Sequence, residues 1–421
     1  MYQKTTFDNG LRLVTAAMPR MRSASLGIFI KVGGRNEEGK IKGAAHFIEH
    51  LLFKGSKKYS CRRLKEAIEG VGGTLNGFTS EEVTCYLVKT PAEHLDTSLD
   101  VLSDMVLNPL FLASEIEKER TVILEEIKMY QDLPQSYVHE LLDNILWPRH
   151  PLGESILGSV ETISAMKRSD ILDFKKTHYN ASNIVISACG KVGHEKLARK
   201  FKTIFSGLKR SEPNGYIVFK PAQKEPALNI LNKDTAQVHL ALGFHSLERE
   251  HPLRYALGLL NIILGGNMSS RLFEQVREKR GLAYEIASTA KRFQDTGAFV
   301  VHAGVDNNKL FPALELIFKE LKKIKNNYVS QDELRRSKDF YLGQLSLAFE
   351  ETMDSMLWIG ESSAVCGKIY KLNQVIDKVK KVSLGQINEV ARIVFQEKYI
   401  NLALIGDLKG KEAKIKERLS L

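Results

Sequence analysis

Two α+β domains of similar fold are what this sequence predicts, from its length, an internal repeat and a change of character near its middle. At 421 residues the chain exceeds what one hydrophobic core usually organises, while 43% apolar and 26% charged residues are ordinary for a globular protein. The strand-like run 237–244 answers the run 25–30, and a helix, the strand 400–406 and a helix near the end answer the helix, strand 183–190 and helix that close the first half. Between the halves, residues 207–226 gather Pro213, Asn214, Gly215, Pro221 and Pro226 among charged side chains, the composition of a linker. The expected division is therefore a first domain over 1–210, a linker over 211–226 and a second domain over 227–421.

Each element follows from local chemistry. Within residues 7–14, Asn9-Gly10 supplies the positive φ angles of a tight turn between alternating residues, which makes a β-hairpin. Residues 25–32 read as an apolar strand closed by Gly33-Gly34, followed by a helix around His46 and another over about 60–71. Residues 74–79 and 83–88, rich in β-branched and aromatic side chains, read as paired strands. Apolar residues at helical period run over 91–107 and stop at Asn108-Pro109. Ser114-Glu115-Ile116-Glu117 has the form of a capping box and opens a helix to about Tyr130, ahead of Pro134. Helices over 136–146, 168–177 and 194–205 and the strand 183–190 complete the first half.

Composition excludes several classes of function. A formal charge of +11 raises a nucleic-acid reading, but the basic residues are scattered among acidic ones and no aromatic-basic recognition motif occurs. Runs such as Lys322-Lys323-Ile324-Lys325 and Lys378-Val379-Lys380-Lys381 sit in amphipathic helical sequence and read as solvated faces, so nucleic acid is not an expected partner. Cys61, Cys85, Cys189 and Cys366 are widely spaced and contain no Cys-x-x-Cys pair, which argues against a disulfide framework or a cysteine zinc site; Cys85 and Cys189 read as small core residues. The chain opens at Met1 directly into strand-like sequence, without a basic-then-apolar leader or an apolar run long enough to span a bilayer. The expectation is a reducing aqueous compartment with no membrane partner: the bacterial cytoplasm, or the mitochondrial matrix if this is a mature chain.

The chemistry concentrates in Gly43-Ala44-Ala45-His46-Phe47-Ile48-Glu49-His50-Leu51-Leu52-Phe53. On a helix His46 and His50 stand one turn apart on one face, with Glu49 beside them. Two imidazoles so spaced can hold one divalent metal, and zinc takes nitrogen and carboxylate ligands in a roughly tetrahedral shell. That leaves Glu49 free to act as a base on water. The order His-x-x-Glu-His is the reverse of the commoner zinc-protease arrangement. The apolar residues around the three polar side chains mark the helix as buried, and two histidines and a glutamate inside a core need partners that a metal would provide. Further along, Glu119 and Glu126 lie on one face of a helix two turns apart, and Glu126 shares its side with Ile123 and Ile127. His239 and His245, on the strand that answers 25–30, read as packing or surface residues.

Together these segments resemble the pitrilysin/insulinase family of zinc metallopeptidases, in its short branch of mitochondrial-processing-peptidase-like bacterial proteins. The resemblance spans essentially the whole chain. It rests on Gly34-Arg35 through Gly43 leading into His46-Phe47-Ile48-Glu49-His50, on Phe53-Lys54-Gly55-Ser56, and on Glu119-Arg120-Thr121-Val122-Ile123-Leu124-Glu125-Glu126-Ile127. It implies two similar domains, each a mainly antiparallel sheet covered by helices. It also implies one zinc ion per chain held by His46, His50 and Glu126, with Glu119 supporting a ligand from behind. Leu75-Asn76-Gly77-Phe78-Thr79-Ser80 is similar to the strand edge along which the family's substrate lies, so Asn76, Gly77, Phe78 and Thr79 are its expected substrate-binding residues. Residues 265–272 followed by Arg277-Glu278-Lys279-Arg280-Gly281-Leu282-Ala283-Tyr284 are similar to the family's Arg/Tyr element, which would bring Arg277 and Tyr284 to the scissile peptide.

What the resemblance implies is a zinc-dependent endopeptidase acting on extended peptides or unfolded segments, with Glu49 as general base and a homodimer as the assembly. The competing reading is a non-catalytic structural or processing-complex subunit of the same fold. The complete ligand set and the lack of a long glycine-rich loop argue against it.

Overall fold

The structure, a computed structural model, describes residues 2–212, 215–326 and 329–421. Pro213 and Asn214 of the expected linker fall outside them. Two compact units emerge, each assembled from separate stretches of the chain. Unit 1 comprises Met1–Lys128, Ser155–Ile217 and Ser346–Tyr370; unit 2 comprises Met129–Glu154, Val218–Leu345 and Lys371–Leu421. The two similar halves of the sequence therefore do not coincide with the two compact bodies, because each half contributes one helical stretch to the other's core.

Unit 1 is built on a six-stranded sheet. Its strands are β1 (Tyr2–Thr6), β2 (Arg12–Ala17), β3 (Ser23–Ile30), β4 (Thr74–Thr79), β5 (Thr84–Pro91) and β6 (Ile184–Gly190), in the order β1-β2-β6-β3-β5-β4. Only β2 and β6 pair in parallel. The Asn9-Gly10 hairpin forms as expected, with Gly10 at φ 92 and β1 antiparallel to β2. One face of the sheet carries α1 (Ala44–Leu52), α2 (Cys61–Glu69), α3 (Leu95–Leu107) and α4 (Ala113–Asp132), whose apolar residues join those of β3 and β5 in one core. Strand residues of the opposite parity, including Val14, Phe29, Cys85, Val185 and Cys189, pack against Met356 and Ile359 of the helix Thr352–Cys366. All four cysteines are free thiols, with Cys85 and Cys189 buried.

The start of α4 differs from the expected capping box. The helix begins at Ala113, and the Leu112 carbonyl accepts the Glu115 and Ile116 amides, so Ser114 lies inside the first turn rather than ahead of it. Phe111, at φ 46, has already turned the chain into the helix.

Unit 2 repeats the plan with five strands: β7 (Ala227–Asn232), β8 (Gln237–Ser246), β9 (Ala283–Arg292), β10 (Gly297–Asp306) and β11 (Asn401–Gly406), in the order β7-β11-β8-β10-β9. Again a single pair, β7 with β11, is parallel. The order matches β2-β6-β3-β5-β4 strand for strand, which is the duplicated α+β architecture read from the sequence. On one face lies α5 (Pro134–Leu146), whose Val138, Leu142 and Leu146 pack with Ala241, Ala298, Val300 and Ala403. No helix among the described residues is long and apolar enough to cross a membrane.

Candidate metal centre

Helix α1 is held at its N-terminus by a residue the sequence did not nominate. Glu37, fully buried, accepts the Gly43 amide at 2.8 Å and the Ala45 amide at 2.6 Å. A carboxylate there satisfies free backbone donors and suits the positive end of the helix dipole. Gly43 sits at φ 92, and a Cβ on it would meet the Leu157 carbonyl at 2.7 Å, so only glycine allows the chain to enter the helix here.

From this fixed helix His46 and His50 project side by side, ring centroids 4.5 Å apart. Glu126 reaches them from α4, with its Oε2 3.8 Å from His46 Nε2 and 3.7 Å from His50 Nε2. These three side chains form the single group among the described residues whose nitrogen and oxygen atoms converge closely enough to share an ion, all within 4.8 Å. The separations are too long for hydrogen bonds and near the edge, about 3.3 Å, of a tetrahedron of such ligands around zinc. Donor chemistry agrees: two imidazole nitrogens and a carboxylate oxygen are a zinc set.

Charge and burial fit the same reading. Burial, helped by the neighbouring His50, pushes the His46 pKa down to about 3, so its imidazole stays neutral and able to donate a lone pair. Its Nδ1 is buried without a hydrogen-bond partner. Burial raises the Glu126 pKa, against the opposing pull of His50. Behind the set, His50 Nδ1 donates to Glu119 Oε2 at 3.1 Å, which leaves Nε2 as the lone-pair nitrogen facing Glu126. Glu119, only 4% exposed, is neutralised on its other side by Lys54 at 2.5 Å.

Glu49 lies beside the cluster but outside it. Thr79 Oγ1, on β4, donates to Glu49 Oε2 at 2.6 Å, fixing the carboxylate's orientation. Burial raises the Glu49 pKa; the Thr79 hydrogen bond and His50 pull it down, and Glu126 adds to the rise. Strand β4 is the sheet's edge, paired to β5 on one side alone, and it carries Asn76, Gly77, Phe78 and Thr79. A Cβ at Gly77 would lie 3.2 Å from the Phe53 ring, so glycine lets the strand press onto the residue that ends α1.

Unit 1 thus brings together His46, His50, Glu126, Glu119, Glu49 and Thr79. Arg277 and Tyr284 belong to unit 2, where they meet each other: the Arg277 guanidinium lies 4.6 Å from the Phe273 ring centroid and 5.3 Å from that of Tyr284, which is 77% exposed. Arg277 sits in a short π-helix, Phe273–Glu278. Sequence reasoning placed Thr79 on the strand edge but missed its side-chain bond to Glu49, and it missed Glu37 and Lys54 as supports.

Both halves of the chain match models of one protein family. Residues 12–160 match the family model described as Insulinase (Peptidase family M16), and residues 165–341 match the one described as Peptidase M16 inactive domain. An uncharacterized zinc protease of Bacillus subtilis is 37% identical over 406 residues, covering 96% of this chain and 98% of its own length. The chain belongs to the M16 insulinase family. A second uncharacterized zinc protease, from Streptomyces coelicolor, is 35% identical over 98% of this chain and 91% of its own length. The crystal structure of a protease from Helicobacter pylori, 24% identical, superposes with a TM-score of 0.91 over 96% of this chain and 99% of that one, which shows the shared M16 fold.

Proposed function

We propose that this chain is a zinc-dependent endopeptidase that hydrolyses extended peptides or unfolded protein segments. The observation that carries the proposal is the approach of Glu126 from α4 to the Nε2 atoms of His46 and His50, at 3.8 and 3.7 Å, with the Glu49 carboxylate held alongside by the edge strand. His46, His50 and Glu126 would hold one zinc ion, with Glu119 orienting His50. When bound, zinc supplies a Lewis acid that polarises a carbonyl and makes water more acidic.

The chain's own residues do the rest. A substrate segment adds as a strand along the free edge of β4, pairing its backbone with residues 76–79, so it must have unpaired amides and carbonyls to offer. Glu49 takes the proton of the attacking water and delivers it to the departing amine; its raised pKa makes it a stronger base than an exposed carboxylate. Thr79 couples the two tasks, since the strand that receives substrate also aims the base. Stabilisation of the developing oxyanion is assigned to Arg277 or Tyr284, and a homodimer is the proposed assembly.

The test is cleavage of a quenched fluorescent peptide and of a folded protein by the purified chain, before and after chelation. The peptide should be cut, the folded protein spared, and chelation should abolish turnover that stoichiometric zinc then restores. Chelator-resistant cleavage would overturn the metal assignment. No cleavage of any unstructured polypeptide by the zinc-loaded chain would favour a structural subunit instead.

A further inference from the structure

Unit 2 carries an unassigned cavity of about 400 Å³, lined by His139, His239, His302 and Glu285 together with Gln135 and Ser136. Its residues come from four elements that the fold brings to one place. Along β10 the side facing α5 is apolar at Ala298 and Val300, which belong to the core beneath that helix. Two positions further this same side turns polar at His302, and then presents Gly304. The register sets His239 of β8 and Glu285 of β9 on either side of Gly304, one row across the sheet. Helix α5 lies above, with His139 one turn before Asp143; Asp143 is tied to Lys291 of β9 at 2.6 Å.

Three features separate this cavity from ordinary sheet packing. The His139 and His302 rings meet edge to face, centroids 5.2 Å apart, and His302 Nε2 lies 3.7 Å from Glu285 Oε1. His302 Nδ1 is buried with no hydrogen-bond partner. Gly304 carries no side chain between His239 and Glu285; a Cβ there would meet the Gln237 Oε1 atom at 2.9 Å and the His239 ring at 3.7 Å, so the glycine leaves room for a polar amide oxygen beside the imidazole.

We infer that this cavity is a second metal site, which takes a borderline divalent transition ion such as Zn²⁺ or Ni²⁺ on His139, His302, His239 and Glu285. Three imidazoles and one carboxylate are ligands for such ions, and poor ones for Mg²⁺ or Ca²⁺, which prefer shells of oxygen. An anionic ligand fits less well, for Glu285 would repel it and burial favours the neutral forms of His139 and His239. Burial, with His302 and Lys291 adding to it, lowers the His139 pKa to about 4, and burial likewise lowers that of His239. No three of the four bring ligand atoms within 4.8 Å of one another as His46, His50 and Glu126 do. Closing on an ion requires rotation about their own torsions, which the half-buried rings and the 64% exposed Glu285 can make. The inference concerns unit 2 alone and stands independently of the peptidase reading.

The experiment uses the full-length chain with His46→Ala and His50→Ala, so that the first site no longer holds metal. It is dialysed against micromolar Zn²⁺, then Ni²⁺, then Mg²⁺, and bound metal is counted by mass spectrometry. One Zn²⁺ or Ni²⁺ per chain and no Mg²⁺ is expected, falling to none when His139→Ala and His302→Ala are added. Should that combination not fold, Glu285→Gln with His302→Gln takes its place, with the same loss expected. Peptide cleavage by a chain carrying only His139→Ala and His302→Ala should stay within twofold of the parent. A His46/His50-deficient chain that binds no metal, or one whose metal survives both pairs of substitutions, overturns the site.

Discussion

Helix α1 follows β3 in unit 1 as helix Arg254–Leu264 follows β8 in unit 2, and the two occupy the same step of the same topology. Their side chains differ completely in purpose. The unit 2 helix buries Tyr255, Ala256, Leu257, Leu259, Leu260, Ile263 and Leu264 and has no titratable side chain beyond Arg254 and Tyr255 at its start. Helix α1 buries as much of its length but sets His46, Glu49 and His50 into the apolar surface, with Glu119 and Glu126 brought against them from α4. A duplicated scaffold can thus be read twice: once as packing alone, and once as packing that tolerates a costly polar cluster. Function lives in the side chains placed on the fold.

The comparison breaks most clearly at Glu126. In a chain that also carries His139→Ala and His302→Ala, replacing Glu126 with Ala leaves two imidazoles at the first site, so metal content and turnover should both fall to background while Tm measured in chelator changes little. Retained zinc would mean that the ion is held elsewhere. On the other side, Leu260→Ala in unit 2 should cost about 2–5 kcal/mol of stability, since it opens a cavity in a well-packed core. Its zinc content at a temperature where the chain stays folded should be unchanged. Glu119→Gln sharpens the difference: His50 keeps a hydrogen-bond partner but loses a charged one, and zinc affinity measured against a competing chelator should drop about 10–100-fold. The smallest effect is expected from Thr79→Val, which removes one hydrogen bond to a carboxylate worth about 1.5–3 kcal/mol at most. Turnover should fall by no more than about tenfold with zinc content intact; unchanged turnover would free Glu49 from dependence on the edge strand.

How much of this was legible in the sequence follows from the range of each interaction. His46, Glu49 and His50 are read directly, because helical spacing converts three positions into one face. The Asn9-Gly10 turn and the alternating strands are equally local, and the repeat of strand order follows from their succession. Glu126 stands 76 positions after His50; periodicity could mark it as half-inward, but only family resemblance could pair it with the histidines. Glu37 gave no signal at all, since its role is to meet backbone amides that any sequence would offer. The exchange of α5 and helix Thr352–Cys366 between units was hidden for a related reason. Helix α5 is amphipathic, and its pattern shows that a face is buried, not against which sheet; helix Thr352–Cys366 buries Ser355, Gly360 and Ser363 along with Met356 and Ile359, so its sequence shows no clear apolar face at all. The cavity at His302 depends on the register of β8, β9 and β10, and a shift of one residue would scatter His239, Glu285 and His302 over both faces. Ser114 shows the opposite failure, a local cap signal overridden by the turn at Phe111.

The central claim is that Glu49 is the base beside a metal it does not bind. Its most direct test is the Glu49→Gln chain, with zinc content and peptide turnover measured on one sample. Zinc should stay at the parent's level while turnover falls by about 10²–10⁴-fold. Turnover near the parent's, or loss of zinc along with activity, would contradict it.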